Sequence, residues 1–559
     1  MTETTASSFS LLTEPWIVAR FRDGSTREVS VRQAFAKADD IVDLGGEVPT
    51  QTFAIVRLLL AVLHSALRPV RNPDQVWKAL WESREPLPDL VDTYLKEHAD
   101  RFDLLHAEQP FYQVADLATK SAEVSSLGKL IADVPNGQPF FTTRLKSGVD
   151  RISFAEAARW IVHCQAFDPS GIKSGAVGDK RVKDGKGYPI GTGWAGTLGG
   201  LLIEGKSLRE TLLLNLVLGD PDGEPLSDDD LPLWERAPLG PGEEERGGPT
   251  GPADLFTWPS RRIRLTHDGD SVTGVVIANG DPLKPQLVRG VHKLEPMTVW
   301  RRSETQEKAL KVGSGTHVYM PLEHDPNRMI WRGLSALLPQ GIREEQRRNG
   351  AKYLPALSLY WLAQMSDKGI LPSTQFRTRA IGMAYGVQSA TVAEIVDDAL
   401  SMSSILLAQQ GRHLAALALG VVQQTDTAVF QLGVLARNLA IAKGGEPDGP
   451  GDRLRELAYF TLDSPFRLWL SRLASATDVL DAREEWYSEA RTTLIRLARQ
   501  AVDASGPSAW VGRENSRTGK LVNTAEAFGW FLREVHRALP DSDAADRARQ
   551  DEENKEVVQ

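Results

Sequence analysis

"QTFAIVRLLLAVLHSAL" occupies residues 51–67 and decides the class of fold. Its apolar residues recur at helical spacing on nearly every side, which predicts a helix buried all round. The 559 residues of the chain provide material for two to four domains with large cores to surround it. Uninterrupted apolar runs such as Leu58–Leu63 are far shorter than the ~20 residues of a membrane span. We therefore expect a core helix and no membrane partner.

Strand signals lie on both sides of this helix. Upstream, "PWIVARFRDGSTREVSV" (15–31) has two β-rich runs around Asp23-Gly24, which predicts a hairpin. Downstream, "RRIRLTHDGDSVTGVVIANGD" (261–281) predicts a second hairpin around residues 268–270. These strands are interspersed with predicted helices at 88–100, 154–164 and 207–218. The pattern predicts a mixed α/β N-terminal domain over residues 1–370, with an exposed acidic loop insertion at 220–248.

The character of the chain changes after residue 371. Five segments there have a helical period, separated by glycine or proline: 391–410, 428–442, 452–476, 482–504 and 524–539. We expect a C-terminal helical bundle of the four-helix type over residues 371–540. The charged tail, 541–559, is predicted to be disordered. The fold class as a whole is therefore predicted to be α+β.

Composition excludes several kinds of protein. A net charge of −9 argues against a general polyanion binder, so any nucleic-acid surface must be local. The single cysteine, Cys164, excludes an intramolecular disulfide and a multi-cysteine zinc site. We expect no metal and no cofactor. The low cysteine content and the absence of a signal-peptide pattern at the start fit the cytoplasm.

A glycine-rich, basic stretch from Ser170 to Gly200 contains GxGxxG at Gly191–Gly196. A dinucleotide site needs a strand before these glycines and a helix after them, and neither pattern is present. The Gly185-Lys186-Gly187 sequence does not complete a phosphate-binding P-loop either. Two interpretations remain open: a flexible loop whose backbone and lysines contact a phosphate-bearing partner, or a surface loop with solvated charges.

Signatures of an enzyme are weak. His324-Asp325, with His317 nearby, could begin the metal centre of a nuclease or phosphohydrolase. Such a centre needs further ligands that converge on it, and a surface loop explains these three residues more simply. The nucleophile-elbow and zinc-protease patterns are absent from the sequence.

Several motifs, taken in order, resemble one family. They are "FSLLTEPWIVARFRDGSTREVSVRQAF" (9–35), "HAEQPFYQ" (106–113), "GIKSG" (171–175), "EPMTVWRRS" (295–303) and "GVQSATVAE" (386–394). Each is weak alone, but their joint order over nearly the whole chain is similar to the large subunit, CasA, of the type I-E CRISPR Cascade complex. The resemblance implies a non-catalytic subunit that recognises the protospacer-adjacent motif (PAM) from the minor groove. It also implies duplex opening for guide-RNA pairing and recruitment of a helicase-nuclease.

The resemblance also implies partners and site residues. The partners would be the other Cascade proteins, CRISPR RNA, target duplex DNA carrying a PAM, and the helicase-nuclease. A glycine loop that presses its backbone into the minor groove matches Pro169, Ser170 and Gly171, with Lys173 just beyond. A lysine finger matches Lys284 or Lys293, and its place after a predicted strand favours Lys284.

A glutamine wedge that separates the first base pairs matches Gln388, followed by Ser389. Two further groups would contact the DNA backbone or the 5′ end of the guide: Phe140, Phe141, Thr143 and Arg144, and then Lys180, Arg181, Lys183 and Lys186. Some family members carry a cysteine zinc cluster that this sequence lacks, so we expect no metal. The rival hypotheses are the metal-dependent nuclease centred on His317, His324 and Asp325, and a scaffold with no PAM preference.

Overall fold

The computed structural model describes residues 8–83, 85, 87–134, 144, 149–220, 224–288, 290–313, 315–339, 350–515 and 519–541. Within them the chain forms two compact units. Unit 1 comprises residues 1–328 and 342–399, and unit 2 comprises residues 329–341 and 400–559. The fold is thus a mixed α+β architecture of helices and several small sheets.

The helices of the described part are numbered in chain order. They are α1 (Val31–Ala36), α2 (Pro49–Leu67), α3 (Pro73–Glu82), α4 (Pro88–Glu97), α5 (Phe154–Phe167), α6 (Leu208–Asn215), α7 (Pro252–Phe256), α8 (Glu304–Ala309), α9 (Leu334–Leu337), α10 (Leu357–Asp367), α11 (Arg412–Ala442), α12 (Pro450–Arg472), α13 (Val479–Asp503), α14 (Pro507–Val511) and α15 (Thr524–Ala538).

The strands are numbered in the same way. They are β1 (Ile17–Phe21), β2 (Thr26–Val29), β3 (Ile41–Leu44), β4 (Lys173–Ser174), β5 (Lys186–Gly187), β6 (Gly200–Glu204), β7 (Arg261–His267), β8 (Val272–Asn279), β9 (Trp300–Arg302), β10 (Tyr319–Pro321), β11 (Tyr353–Leu354), β12 (Gln375–Tyr385), β13 (Val392–Ser403), β14 (Arg513–Glu514) and β15 (Leu521–Val522). They form sheets in the orders β2-β1-β3, β5-β4-β8-β7, β13-β12-β6, β10-β9-β11 and β14-β15.

Helix α2 lies in the core of unit 1. By length and hydropathy alone it could cross a membrane, which the shorter apolar runs in the sequence did not indicate. All of residues 50–65 are buried, so the prediction of a core helix is confirmed. At its centre the buried Arg57 forms two hydrogen bonds with the buried carboxylate of Glu295, at 2.7 and 2.9 Å. Trp194 donates to the same carboxylate, which leaves this buried charge paired and hydrogen-bonded.

Both predicted hairpins are confirmed. β1 pairs antiparallel with β2, and β7 pairs antiparallel with β8 across the turn at residues 268–271. The helices predicted near 88–100, 154–164 and 207–218 are also present, as α4, α5 and α6. Ser153 caps the start of α5 by accepting a hydrogen bond from the Glu156 amide. Helix α5 matters for the site because the glycine-rich stretch begins shortly after its other end, at Phe167.

Two expectations about exposed or helical segments are wrong. The helix predicted over 391–410 is instead strand β13, which pairs with β12 in the sheet that contains β6. The acidic insertion is not uniformly exposed either, because Leu233 and Trp234 are buried and the Trp234 indole donates to the Tyr94 hydroxyl.

Unit 2 is built around long helices. The helices predicted at 428–442, 452–476, 482–504 and 524–539 are confirmed as parts of α11, α12, α13 and α15, and α11 packs against the other three. Aromatic rings pack between them, as where the rings of Phe466 on α12 and Trp486 on α13 lie 5.1 Å apart. The four-helix-type bundle and the domain boundaries stay predictions. The predicted disordered tail lies outside the described residues except for Asp541.

Candidate nucleic-acid interface

The glycine loop predicted to contact DNA follows α5 directly. Asp168 ends the helix, and its amide donates to the Cys164 carbonyl. The chain then turns through Pro169, Ser170 and Gly171 before β4; residues 168–172 are termed the first loop. Gly171 has φ +133°, a conformation that residues with a side chain rarely adopt. Glycine is therefore required here by the backbone.

A buried ion-pair cluster supports the first loop. The Asp168 Oδ2 lies 2.5 Å from Arg261 Nε and 2.5 Å from Lys173 Nζ. Burial alone would raise the pKa of Asp168, but Lys173 and Arg261 outweigh it and hold that pKa below its usual value. Lys173 is thus engaged with Asp168 beneath the loop, which differs from the predicted direct contact with DNA.

Arg261 also binds the backbone of the loop. Its Nη2 lies 3.0 Å from the Pro169 carbonyl oxygen, 3.2 Å from that of Asp168 and 2.8 Å from that of Gly191. One guanidinium therefore connects the first loop to the start of the GxGxxG sequence. That sequence enters a short 3-10 helix, Trp194–Thr197, and not the long helix of a dinucleotide fold.

The predicted wedge residue lies at the tip of the β12–β13 hairpin. Residues 386–391 form this second loop, closed by a hydrogen bond from the Gly386 amide to the Thr391 carbonyl at 2.9 Å. Gln388 has φ 55° and ψ 22°, and Ser389 has φ 53°. Gln388 is exposed and Val387 is 87 % exposed, so the tip presents side chains to solvent.

The structure brings the two loops together. A Cβ placed on Gly171 would lie 3.9 Å from the Cβ of Ala390 in the second loop. Tyr385, at the end of β12, donates a hydrogen bond of 2.7 Å from its hydroxyl to the Phe167 carbonyl at the end of α5. The first loop and the second loop, which are more than 200 residues apart in sequence, are therefore neighbours, and a partly buried hydrogen bond joins the elements that carry them.

A cavity of about 260 Å³ opens between the two loops. Its walls include residues of both loops and of α5: His163, Cys164, Ser170, Gly171, Lys173, Ala390 and Thr391. Burial lowers the pKa of His163 to about 3, so its imidazole is neutral near pH 7 and lies 2.9 Å from the Thr50 hydroxyl. Burial likewise raises the pKa of the Cys164 thiol, which makes it unreactive.

The basic stretch after β4 divides into exposed and internal residues. Lys180, Lys183 and Lys186 are exposed. Arg181 instead binds Asp179 at 3.0 Å and Glu243 at 3.1 Å, and donates to the Gly280 carbonyl. The three lysines remain available to a polyanion, whereas Arg181 holds the turn in place.

The remaining candidate residues are not gathered at the loops. Lys284 and Lys293 are both exposed, and neither lines the cavity between the two loops. Lys284 borders a second cavity, of about 310 Å³, together with Glu243 and Glu244. Arg144 forms ion pairs with Asp133 and Glu156, at 3.2 and 2.6 Å. Phe140, Phe141 and Thr143 lie outside the described residues.

The alternative metal centre is not assembled. His324 is partly buried and its Nε2 lies 2.8 Å from the Gly200 carbonyl oxygen, while His317 Nδ1 lies 3.4 Å from a Glu307 carboxylate oxygen. Asp325 accepts a hydrogen bond from the amide of Asn327 in its own turn. Across the described ranges, no group of three or more His, Cys, Asp or Glu residues is placed to hold a metal ion. The nuclease hypothesis has no support here.

Sequence reasoning missed Arg261, Asp168 and Tyr385. The available signal was the pair Arg261-Arg262 at the start of an otherwise apolar strand, since arginines there must be paired if they are buried. Both are buried, at 1 % and 0 % exposure. What they bind could not be predicted, because their partners come from loops distant in sequence.

Comparison with known proteins gives a consistent result. The family model described as "CRISPR-associated protein Cse1" matches residues 10–500. A curated relative, "CRISPR-associated protein CasA/Cse1" of Thermus thermophilus, is 29 % identical over 548 residues, covering 94 % of this chain and 98 % of the relative. The crystal structure of Thermobifida fusca Cse1 is 44 % identical, with a TM-score of 0.87 over 97 % of this chain and 99 % of that one.

A chain of a structure described as "CRISPR RNA-guided surveillance complex" shares the fold. Its TM-score is 0.67 over 94 % of this chain and 99 % of that chain, at 17 % identity.

Proposed function

Since this chain belongs to the CRISPR-associated Cse1 (CasA) family, we propose that it is the large subunit of an RNA-guided surveillance complex and recognises the PAM. Its partners would be the other Cascade proteins, CRISPR RNA, PAM-bearing duplex DNA and a helicase-nuclease. In such complexes base pairing with the guide recognises the target sequence, so the protein need recognise only a short flanking motif. The proposal includes no catalytic step by this chain.

One observation carries the proposal: the first loop and the second loop are neighbours in unit 1. The Gly171 position lies within 3.9 Å of Ala390, which places the exposed Gln388 beside the glycine loop. A backbone without a bulky side chain can approach base edges in the narrow minor groove. A side chain next to that point can then enter the duplex where the motif ends and separate the adjacent base pairs.

The exposed lysines add a sequence-independent contribution. Lys180 and Lys183 lie on the turn after β4, the strand that the first loop enters, and Lys186 begins β5 at the end of that turn. Contacts of this kind release counterions from DNA and orient it without selecting a base. Lys284 and Lys293 stay candidates for the lysine finger, with Lys284 favoured by its exposed place after β8.

The experiment uses the reconstituted complex and a library of duplexes with one guide-matched target and randomised flanking positions. A second preparation lacks this chain. We expect the complete complex to enrich a small set of flanking sequences and the preparation without the chain to enrich none. Equal binding to all flanks by the complete complex would refute PAM recognition and favour the scaffold hypothesis.

A further inference from the structure

The first loop presents its backbone in a specific way. Within the described part of the chain, the amides of Ser170 and Gly171 donate no hydrogen bond, although Ser170 is only 9 % exposed. No group of the described residues occupies these two amides, so both can donate to an acceptor outside the chain. The carbonyls of Asp168 and Pro169 are, by contrast, bound from inside.

The inward carbonyls share one donor. Arg261 donates from Nη2 to both of them and to the Gly191 carbonyl, and from Nε to the Asp168 carboxylate at 2.5 Å. Its own backbone is fixed by Gln165 of α5, which accepts from the Arg261 amide and donates to the Arg261 carbonyl. A planar guanidinium with several donors can hold this set, whereas an ammonium cannot match the geometry.

We propose that Arg261 is a positioning residue that sets how sharply the first loop discriminates between flanking DNA sequences. The Ser170 amide shares a planar peptide with the Pro169 carbonyl, so by holding that carbonyl inward Arg261 turns the Ser170 N–H to the opposite side, toward the groove. Loss of that orientation would reduce discrimination, because amides in several orientations can satisfy several base patterns. This inference rests on the proposed function but names a residue that touches no DNA.

The chain contains a matched control in the next residue. Arg262 is also fully buried, and it also binds carbonyls, those of Gly240, Gly242 and Pro259, together with the Asp281 carboxylate at 2.6 Å. None of these partners belongs to the first loop. Arg261→Lys and Arg262→Lys therefore make the same chemical change at equal burial.

The test compares the two variants with wild type in the reconstituted complex. The readout is the ratio of duplex affinities with the most enriched flank and with an unselected flank. A single-stranded target complementary to the guide serves as a reference that needs no PAM. We expect Arg261→Lys to lower the ratio by about tenfold, equivalent to about 1.4 kcal/mol. Single-strand binding, and the ratio measured for Arg262→Lys, should stay close to wild type.

Each outcome has a distinct meaning. If the wild-type complex binds duplexes with the enriched and the unselected flank equally well, both the proposed function and this inference are refuted. A clear wild-type ratio that Arg261→Lys leaves unchanged, or that both variants lower equally, overturns the positioning role alone. If Arg261→Lys does not assemble, Asp168→Asn removes the carboxylate partner and should lower the ratio in the same direction. An unchanged ratio for Asp168→Asn would equally overturn the inference.

Discussion

Two neighbouring residues at the hairpin tip adopt an unusual backbone conformation. Gln388 and Ser389 both have positive φ, at 55° and 53°, which costs about 1 kcal/mol for each residue with a side chain. The Gly386–Thr391 hydrogen bond and the flanking strands maintain it. The sequence motif predicted the loop and the identity of the exposed residue. It did not predict the conformation, because that depends on pairing between strands.

At the same scale, a buried histidine gives a prediction about pH. Burial lowers the pKa of His163 to about 3, while the unfolded chain should titrate near 6.5. Between these values the unfolded state binds more protons, so stability falls as the pH falls below about 6.5. Between pH ~7.5 and pH ~5.5, protonation of this residue in the unfolded state should lower the free energy of unfolding of the wild type by about 1.4 kcal/mol.

In the His163→Gln variant, the part of the pH-dependent loss of unfolding free energy that comes from His163 should be absent. Urea unfolding of unit 1 near both pH values measures it, and the contributions of His64 and His292 are common to both proteins and cancel. The lost Thr50 contact shifts stability equally at both pH values, so only the difference between them is informative. An identical pH difference in wild type and variant would show that His163 is not held neutral.

At the scale of elements, the β12–β13 hairpin was the largest error of sequence interpretation. The segment 391–410 has apolar residues at spacings that fit a helix, yet residues 392–403 form a strand. Pairing with β12 decides the outcome, and β propensity depends strongly on such neighbours. The local hairpins at β1–β2 and β7–β8 were predicted correctly, because their turn residues carry the signal within a few positions.

The hairpin is held by a cross-strand ion pair that can be tested. Arg379 of β12 binds Asp397 of β13 in a bidentate manner at 2.6 and 2.7 Å, and Glu204 of β6 at 3.0 Å. Asp397→Asn should lower the free energy of unfolding of unit 1 by about 0.5–1 kcal/mol, since both groups retain some contact with solvent. Hydrogen exchange in β12 and β13 should rise with it.

The control for this change is Glu394→Gln, which removes a charge from an exposed position on the same strand. Glu394→Gln should leave hydrogen exchange and stability within experimental error. Equal effects of the two substitutions would mean that strand charge, and not the Arg379 contact, stabilises the hairpin.

At the scale of the whole molecule, the net charge does not describe the surface that would meet DNA. The chain carries 74 acidic and 65 basic residues, yet exposed lysines cluster on the turn after β4. Composition correctly excluded a uniformly basic surface, and the order of motifs gave the family. The meeting of the first and second loops could not be predicted from residues alone, because it depends on contacts between distant segments, such as the Tyr385 hydrogen bond to the Phe167 carbonyl.

Salt dependence tests the lysine cluster. If Lys183 and Lys186 each contact a phosphate, replacing either by glutamine should reduce the slope of log affinity against log salt by about 0.9. Duplex binding by the assembled complex over a series of salt concentrations measures the slope. Lys96→Gln, at an exposed site on α4, is the control. If neither substitution in the cluster changes the slope, Lys183 and Lys186 do not contact the DNA backbone.

The most direct test of the account separates DNA binding from DNA opening. The assembled complex would carry wild-type chain, Gln388→Ala or the control Val387→Ala, which truncates the exposed apolar neighbour. A fluorescent base next to the PAM reports strand separation, and a label on the distant duplex end reports binding. We predict that Gln388→Ala keeps PAM-dependent binding but opens the duplex at least about tenfold more slowly, while Val387→Ala resembles wild type. Unchanged opening with Gln388→Ala would contradict the assignment of the hairpin tip as the element that separates the strands.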